Sequence, residues 1–353
     1  MVNQRKISSV QSGFSLVELM VGLVIGMLAT LVIMQVFSAF EGQKRTTSGT
    51  ADAQTNGSIA LATIQRHVQK AGYGLPLPNA DIQSNALRCN PFLDFDPDSD
   101  PLTNNNTNLF PLIIQNDVGS NGSDDITVRF STTAMGAVPV EIINASNPDS
   151  IGMLVQSNIG CNIDGNTNND DVALIQNGLT CDMATVDRVS GTGNNQRIIL
   201  AKLPTTPGVL ADQAKIACMG DWRDYRFQIV NEELQLNQQP IVSDVISMQA
   251  QYGVSDTAGS NVVTAWEDAA GIWNNPTVLE RNRIKAIRMA VVLRNGLKEK
   301  TKVTTAAPIA WPDSSPVAID VSSSSADWEY YRYRVFGTVV PLRNMIWSRG
   351  AVE

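Results

Sequence analysis

The sequence predicts an α+β protein: one long N-terminal helix packed on a globular domain of antiparallel β-sheets. Three observations predict it. An uncharged apolar run extends from Leu19 to Phe40, with no ionisable group between Glu18 and Glu41. A stripe at three-four spacing follows it, in Leu61, Ile64, Val68 and Ala71. From Asp81 onward the pattern changes to short alternating runs divided by Asn, Gly, Asp and Pro.

The helix should run from about Phe14 to Ala71. Its first half is long enough to cross a bilayer, which takes about 20 apolar residues. Its second half turns amphipathic, with Gln65, Arg66, Gln69 and Lys70 between the stripe residues. Gly72-Tyr73-Gly74-Leu75-Pro76 ends it through glycine caps and a proline. Gly42, Gly49 and Gly57 each cost about 1 kcal/mol against alanine, so a kink or melted turn is expected in the middle. Gly22 and Gly26 form a small-xxx-small pair that permits close helix contact.

The strands follow in order. Ile126, Val128 and Phe130 alternate, and Ile198, Leu200 and Leu203 do so less cleanly. Val172 to Ile175, a turn at Asn177-Gly178 and Leu179 to Val186 read as a hairpin. Tyr225, Phe227 and Ile229 alternate, Asn231 to Glu233 turn, and Leu234 and Leu236 continue. Ile287, Met289, Val291 and Leu293 form a late strand, and Tyr331 to Val340 a terminal one.

Composition excludes some functions. A formal charge of −8 in an Asn- and Asp-rich chain argues against nucleic-acid binding through a basic surface. No Gly-rich phosphate loop or paired-histidine metal motif appears. His67 is the only histidine, so Ser-His or Cys-His catalysis would have to use it on the predicted helix. An enzyme is not expected, nor a resident cofactor.

Cys89, Cys161, Cys181 and Cys218 all lie beyond the apolar segment. In an exported chain their even number favours two disulfides. Three connectivities are open; Cys161 with Cys181, leaving Cys89 with Cys218, is slightly preferred as a local staple. Asp94, Asp96, Asp98 and Asp100 resemble the opening of a calcium loop, but Ser99 and Asn105 stand where a glycine and a closing glutamate belong. Asp164, Asn166, Asn168 and Asp170 repeat the spacing, and solvated turns explain both stretches. Trp266, Trp273, Trp311, Trp328 and Trp347 are candidates for a partner surface, with core packing the simpler explanation.

The sharpest motif is Gly13-Phe14-Ser15-Leu16-Val17-Glu18, behind a leader holding Arg5 and Lys6. A lone carboxylate at the edge of an apolar run is costly in lipid and needs a partner. A secretory signal would show a shorter apolar core followed by a small-residue cleavage site, which Glu41-Gly42-Gln43-Lys44-Arg45 is not. The motif resembles the processing site of type IV prepilins and pseudopilins. The resemblance implies a type IV pilin-like fold, cleavage by a prepilin peptidase between Gly13 and Phe14, and methylation of the new N-terminal Phe14. It also implies that Glu18 pairs with the N-terminal amine of a neighbouring subunit. Residues 1–13 are then the leader, 14–40 the transmembrane and filament-core half of the helix, 41–74 its amphipathic half, and 75–353 a β-rich pilin domain.

Pro240-Ile241-Val242-Ser243-Asp244-Val245 through Gln251-Tyr252-Gly253-Val254 narrows the resemblance, as does Arg283-Ile284-Lys285-Ala286-Ile287-Arg288 leading into Val292-Leu293-Arg294. So does Tyr331-Arg332-Tyr333-Arg334-Val335-Phe336 with Val340-Pro341-Leu342-Arg343-Asn344. These segments are similar to the PilW family of minor pilins, while residues 85 to 220 are less diagnostic. The resemblance implies an inner-membrane subunit with a periplasmic head that joins other minor pilins in a priming complex, near the tip of a pilus of major pilin. Two alternatives follow. One is a tip-displayed adhesin-like module; the other is the J-type minor pseudopilin of type II secretion, usually a shorter chain.

Overall fold

The computed structural model describes residues 13–74, 110–133, 137–143, 153–161, 171–177, 180–200, 214–312 and 317–347. The chain divides into two compact units, residues 1–52 and 53–353.

Helix α1 spans Leu16–Val68 without interruption, so no turn is melted at its glycines. Thr46 and Thr47 donate their hydroxyls to the carbonyls of Gly42 and Gln43, holding bonds within the helix wall. Up to Phe40 every large apolar side chain is at least 48% exposed, which leaves this half without a protein covering of its own.

In the second unit Ala53, Ala60, Ile64 and Val68 are buried along one face of α1, and Leu61 is half-buried. Gly57 belongs to this contact: a Cβ there would stand 2.3 Å from the Phe336 ring. The helix ends at glycines, as expected. Gly72 and Gly74 have φ of +77 and +70, the left-handed region that glycine enters without penalty. Gly72 N–H then donates to Arg129 O, and Ser131 N–H to Tyr73 O, which fastens the helix end to a strand.

That strand is β2 (Asp125–Ser131), paired with β1 (Leu112–Gln115). On its other side β2 pairs with residues 222–227 of β8, a 16-residue strand over Lys215–Val230. From β8 two tight turns lead through β9 (Glu233–Leu236) to β10 (Gln239–Ser243). Their corners, Asn231-Glu232 and Asn237-Gln238, all have positive φ, as two-residue hairpin turns require. A second sheet has the order β12 (Ala265–Glu267), β11 (Val245–Val254), β13 (Ile284–Arg294) and β14 (Tyr333–Pro341). Short helices α2 (Val278–Arg281) and α3 (Arg343–Trp347) flank β13 and β14. The main core lies among α1, β1, β2, the second half of β8, β9, β11 and β13.

Alternation marked a strand through Ile287, Met289, Val291 and Leu293, and β13 is that strand; both of its faces are covered, since Ile284 to Leu293 are buried throughout. The cause is the chain after it: Ala310, Trp311, Ile319 and Val321 fold back over Ala290, Val292 and Ile246 as a second core.

A third core lies inside a closed barrel. The first half of β8 pairs with β3 (Val140–Glu141) on one side and β5 (Asp171–Asn177) on the other. From β5 the pairing continues through β6 (Thr180–Ser190) and β7 (Gln196–Leu200) to β4 (Met153–Val155). Val155 bridges Ile142, and Ile143 N–H donates to Leu154 O at 2.8 Å, so β4 returns to the strand that began the series. Six antiparallel strands thus close in the order β3, β8, β5, β6, β7, β4. Alternate residues fill the interior: Ile142, Met153, Val155, Ala173, Ile175, Ile198 and Ile216. In the β5–β6 hairpin Asn177 pairs with Thr180 and so belongs to the strand rather than to the expected turn.

Candidate functional site

Gly13, Phe14 and Ser15 lie outside regular structure and are exposed, immediately before α1. Ser15 O accepts the first helical bond, from Leu19 N–H at 3.1 Å. Ser15 is therefore the N-cap and Glu18 the third helical residue, the serine-x-x-glutamate order of a capping box. A carboxylate in the first turn also faces the positive end of the helix dipole. This local role was readable in the sequence and was missed there.

Glu18, Gly22 and Gly26 are spaced four residues apart and share one face of α1. All three are exposed, and a Cβ on either glycine would meet nothing within 4 Å. A neighbouring apolar helix can approach this bare strip closely, and the carboxylate stands at the end of the strip nearest the N-terminus. Thr30 bonds its hydroxyl to Met27 O at 2.8 Å, so it presents no unsatisfied donor to an apolar surrounding. The arrangement can accept a cation or an ammonium group beside a packed helix; it holds no nucleophile–base pair.

The remaining candidates lie in the head. Cys161 pairs with Cys218, with Cα atoms 5.4 Å apart. This corrects the preferred pairing of Cys161 with Cys181 and of Cys89 with Cys218. The reason is sheet order: Cys181 lies opposite Gln176 in the β5–β6 hairpin, while the chain after β4 is carried to β8. Proximity in sequence gave the wrong partner. Asp171 stands near both sulfurs, but their bond leaves no thiolate to ligate a metal. Cys89, the stretch from Asp94 to Asp100 and residues 162–170 lie outside the described residues.

His67 is half-buried against Tyr225 at 4.8 Å and Phe227 at 5.7 Å. Burial, then Lys70 and Arg66, hold its pKa below the usual imidazole value. Trp273 and Trp311 are buried, and the side chain of Trp347 lies outside the described residues. Trp266 and Trp311 flank the buried Arg288, 5.1 and 4.4 Å from its guanidinium carbon, and Arg288 donates to Gln251 Oε1 at 2.6 Å. These tryptophans therefore stabilise a buried cation rather than form an open partner face.

The loop between β1 and β2 docks on β11. Asp124 accepts from Asp117 N–H at 3.0 Å and from Ala250 N–H at 2.7 Å, and its own N–H donates to Met248 O. Burial raises its pKa to about 7 in spite of those two donors, with Asp117 and Asp268 adding to the rise.

Comparison with known proteins gives two matches. Residues 222–344 match the family model described as type IV pilus-assembly protein W, and residues 8–34 match the prokaryotic N-terminal methylation motif. No curated protein and no solved structure matches the chain.

Proposed function

We propose that the chain, which matches the type IV pilus-assembly protein W family over residues 222–344 and the N-terminal methylation motif over residues 8–34, is a minor pilin of the complex that primes pilus assembly. The observation that carries the reading is the first half of α1: apolar, exposed and with Glu18 as its one acid before Glu41.

Before assembly this half is held in the inner membrane with the head in the periplasm. A prepilin peptidase removes residues 1–13, and Phe14 is methylated. Glu18 then neutralises the amine of an adjacent subunit, and close approach is allowed at Gly22 and Gly26. Apolar contact along Leu16 to Phe40 supplies most of the energy, at roughly 25 cal/mol per Å² buried. The partners are other minor pilins and the major pilin, and the work is polymerisation rather than turnover. Calcium binding at Asp94, Asp96, Asp98 and Asp100 is a separate proposal, answered by titrating the head with calcium.

The barrel favours a second reading, in which the head displays a binding module at the pilus tip. A deletion strain separates the two. Few filaments would support priming; normal filament numbers with lost attachment would support adhesion and overturn priming.

A further inference from the structure

Among the described residues, the barrel meets the head where β2 and β8 come together beside the end of α1. Ser131 in β2 faces Trp222 in β8, and beyond that pair the chain leaves through Thr132 and returns through Asp221. The joint is tight: Thr132 N–H donates to Asp221 O at 3.1 Å, and Asp221 N–H donates to Thr132 Oγ1 at 3.0 Å. Gly220 sits inside it with φ +63, and a Cβ there would stand 3.0 Å from Thr133 N. The change of direction between the two halves of β8 therefore needs glycine. Among the described residues the barrel interior and the main core have no member in common. The family match begins at Trp222, immediately past the joint.

One end of the barrel is crossed by the segment after β4. Ile159 N–H donates to Gln196 Oε1 at 3.0 Å, which ties it to β7, and the Cys161–Cys218 disulfide ties it to β8. In the closed order of six strands β7 and β8 are opposite one another. Residues 158–161 therefore span the barrel, with Ile159 and Cys161 buried in its interior.

We infer that residues 132–221 are a separately folding barrel inserted into the assembly head, sealed by this disulfide-tied plug and dispensable for entry into the pilus. The inference rests on the pilus-assembly reading. Adjacent entry and exit points let such an insert be removed without cutting the host fold. A bridge closing 57 residues within the insert constrains the insert alone.

The test uses a deletion strain carrying the full chain, a version with residues 132–221 replaced by Asn-Gly together with Cys89→Ala so that no cysteine loses a partner, or the double variant Cys161→Ala/Cys218→Ala. Asn-Gly suits a two-residue turn between Ser131 and Trp222. The Asn-Gly version should restore pilus number to the level of the full chain. In detergent, proteolysis of the double variant should be at least about tenfold faster within residues 153–161, with cuts in 222–344 unchanged. The inference is overturned if the Asn-Gly version fails to accumulate, or accumulates with a protected 222–344 region but restores no pili. It is equally overturned if the double variant loses protection everywhere at once, or nowhere. If the deletion strain itself makes normal numbers of pili, the assembly reading fails instead, and the proteolysis still decides whether the barrel folds alone.

Discussion

Glu18 sits in the first turn of α1, and the assembly proposed for this chain gives it a second role that substitution separates from the first. As the third residue of α1 it complements the helix N-terminus, worth about 0.5–1 kcal/mol at an exposed site. As the sole acid between residues 14 and 40 it is, in the proposed assembly, the group that neutralises a neighbour's amine. Glu18→Ala should leave the precursor cleaved and membrane-held but depleted from sheared pili, and Glu18→Gln should be no better because it lacks the charge. Blotting of membrane and pilus fractions reads both; incorporation of Glu18→Gln at the native level would mean the carboxylate acts only as a cap. Asp124 gives a second test at this scale. Its folded pKa of about 7 lies above the ordinary value of 3.8, so the folded chain holds a proton that the unfolded chain has released. The stability this contributes is complete below the unfolded value and is lost as pH rises through about 7. The urea midpoint should fall between pH 5 and pH 8, and Asp124→Asn should flatten that slope; an unchanged slope would remove Asp124 as its source. Neither Asp124 nor Arg288 stood out in the sequence, because their burial depends on distant segments folding over them.

Periodicity made the amphipathic part of α1 and the strands around Val128, Phe227 and Met289 legible, since each repeats its pattern over several residues. It could not show that the second face of β13 is covered by residues after Arg294, and it gave the wrong disulfide, whose partners are set by sheet order. It also misjudged the glycines of α1. Gly57 is not a weak point but a contact, with the Phe336 ring occupying the space of a side chain. Gly57→Ala should therefore destabilise the head by about 1–3 kcal/mol through overpacking, although alanine is the better helix former. Gly42→Ala, with nothing within 4 Å, should strengthen its stretch of helix. Denaturation of the first variant and amide exchange of the second check these signs; a stabilised Gly57→Ala head would contradict the packing argument.

At the scale of the whole molecule the chain combines an exposed apolar half-helix, a head whose family match ends at Asn344, and a barrel outside that match. The Gly13 to Glu18 motif was legible because it is short and contiguous in the chain, inside the stretch that matches the N-terminal methylation motif. The barrel was not, because closure through β3 and β4 depends on strands of two and three residues. The central claim is that this chain is cut, methylated and built into pili. Mass spectrometry of sheared, washed pili tests it most directly. The account predicts an N-terminal peptide beginning at N-methylated Phe14. Recovery of the chain only from membranes, with residues 1–13 still attached, would contradict it.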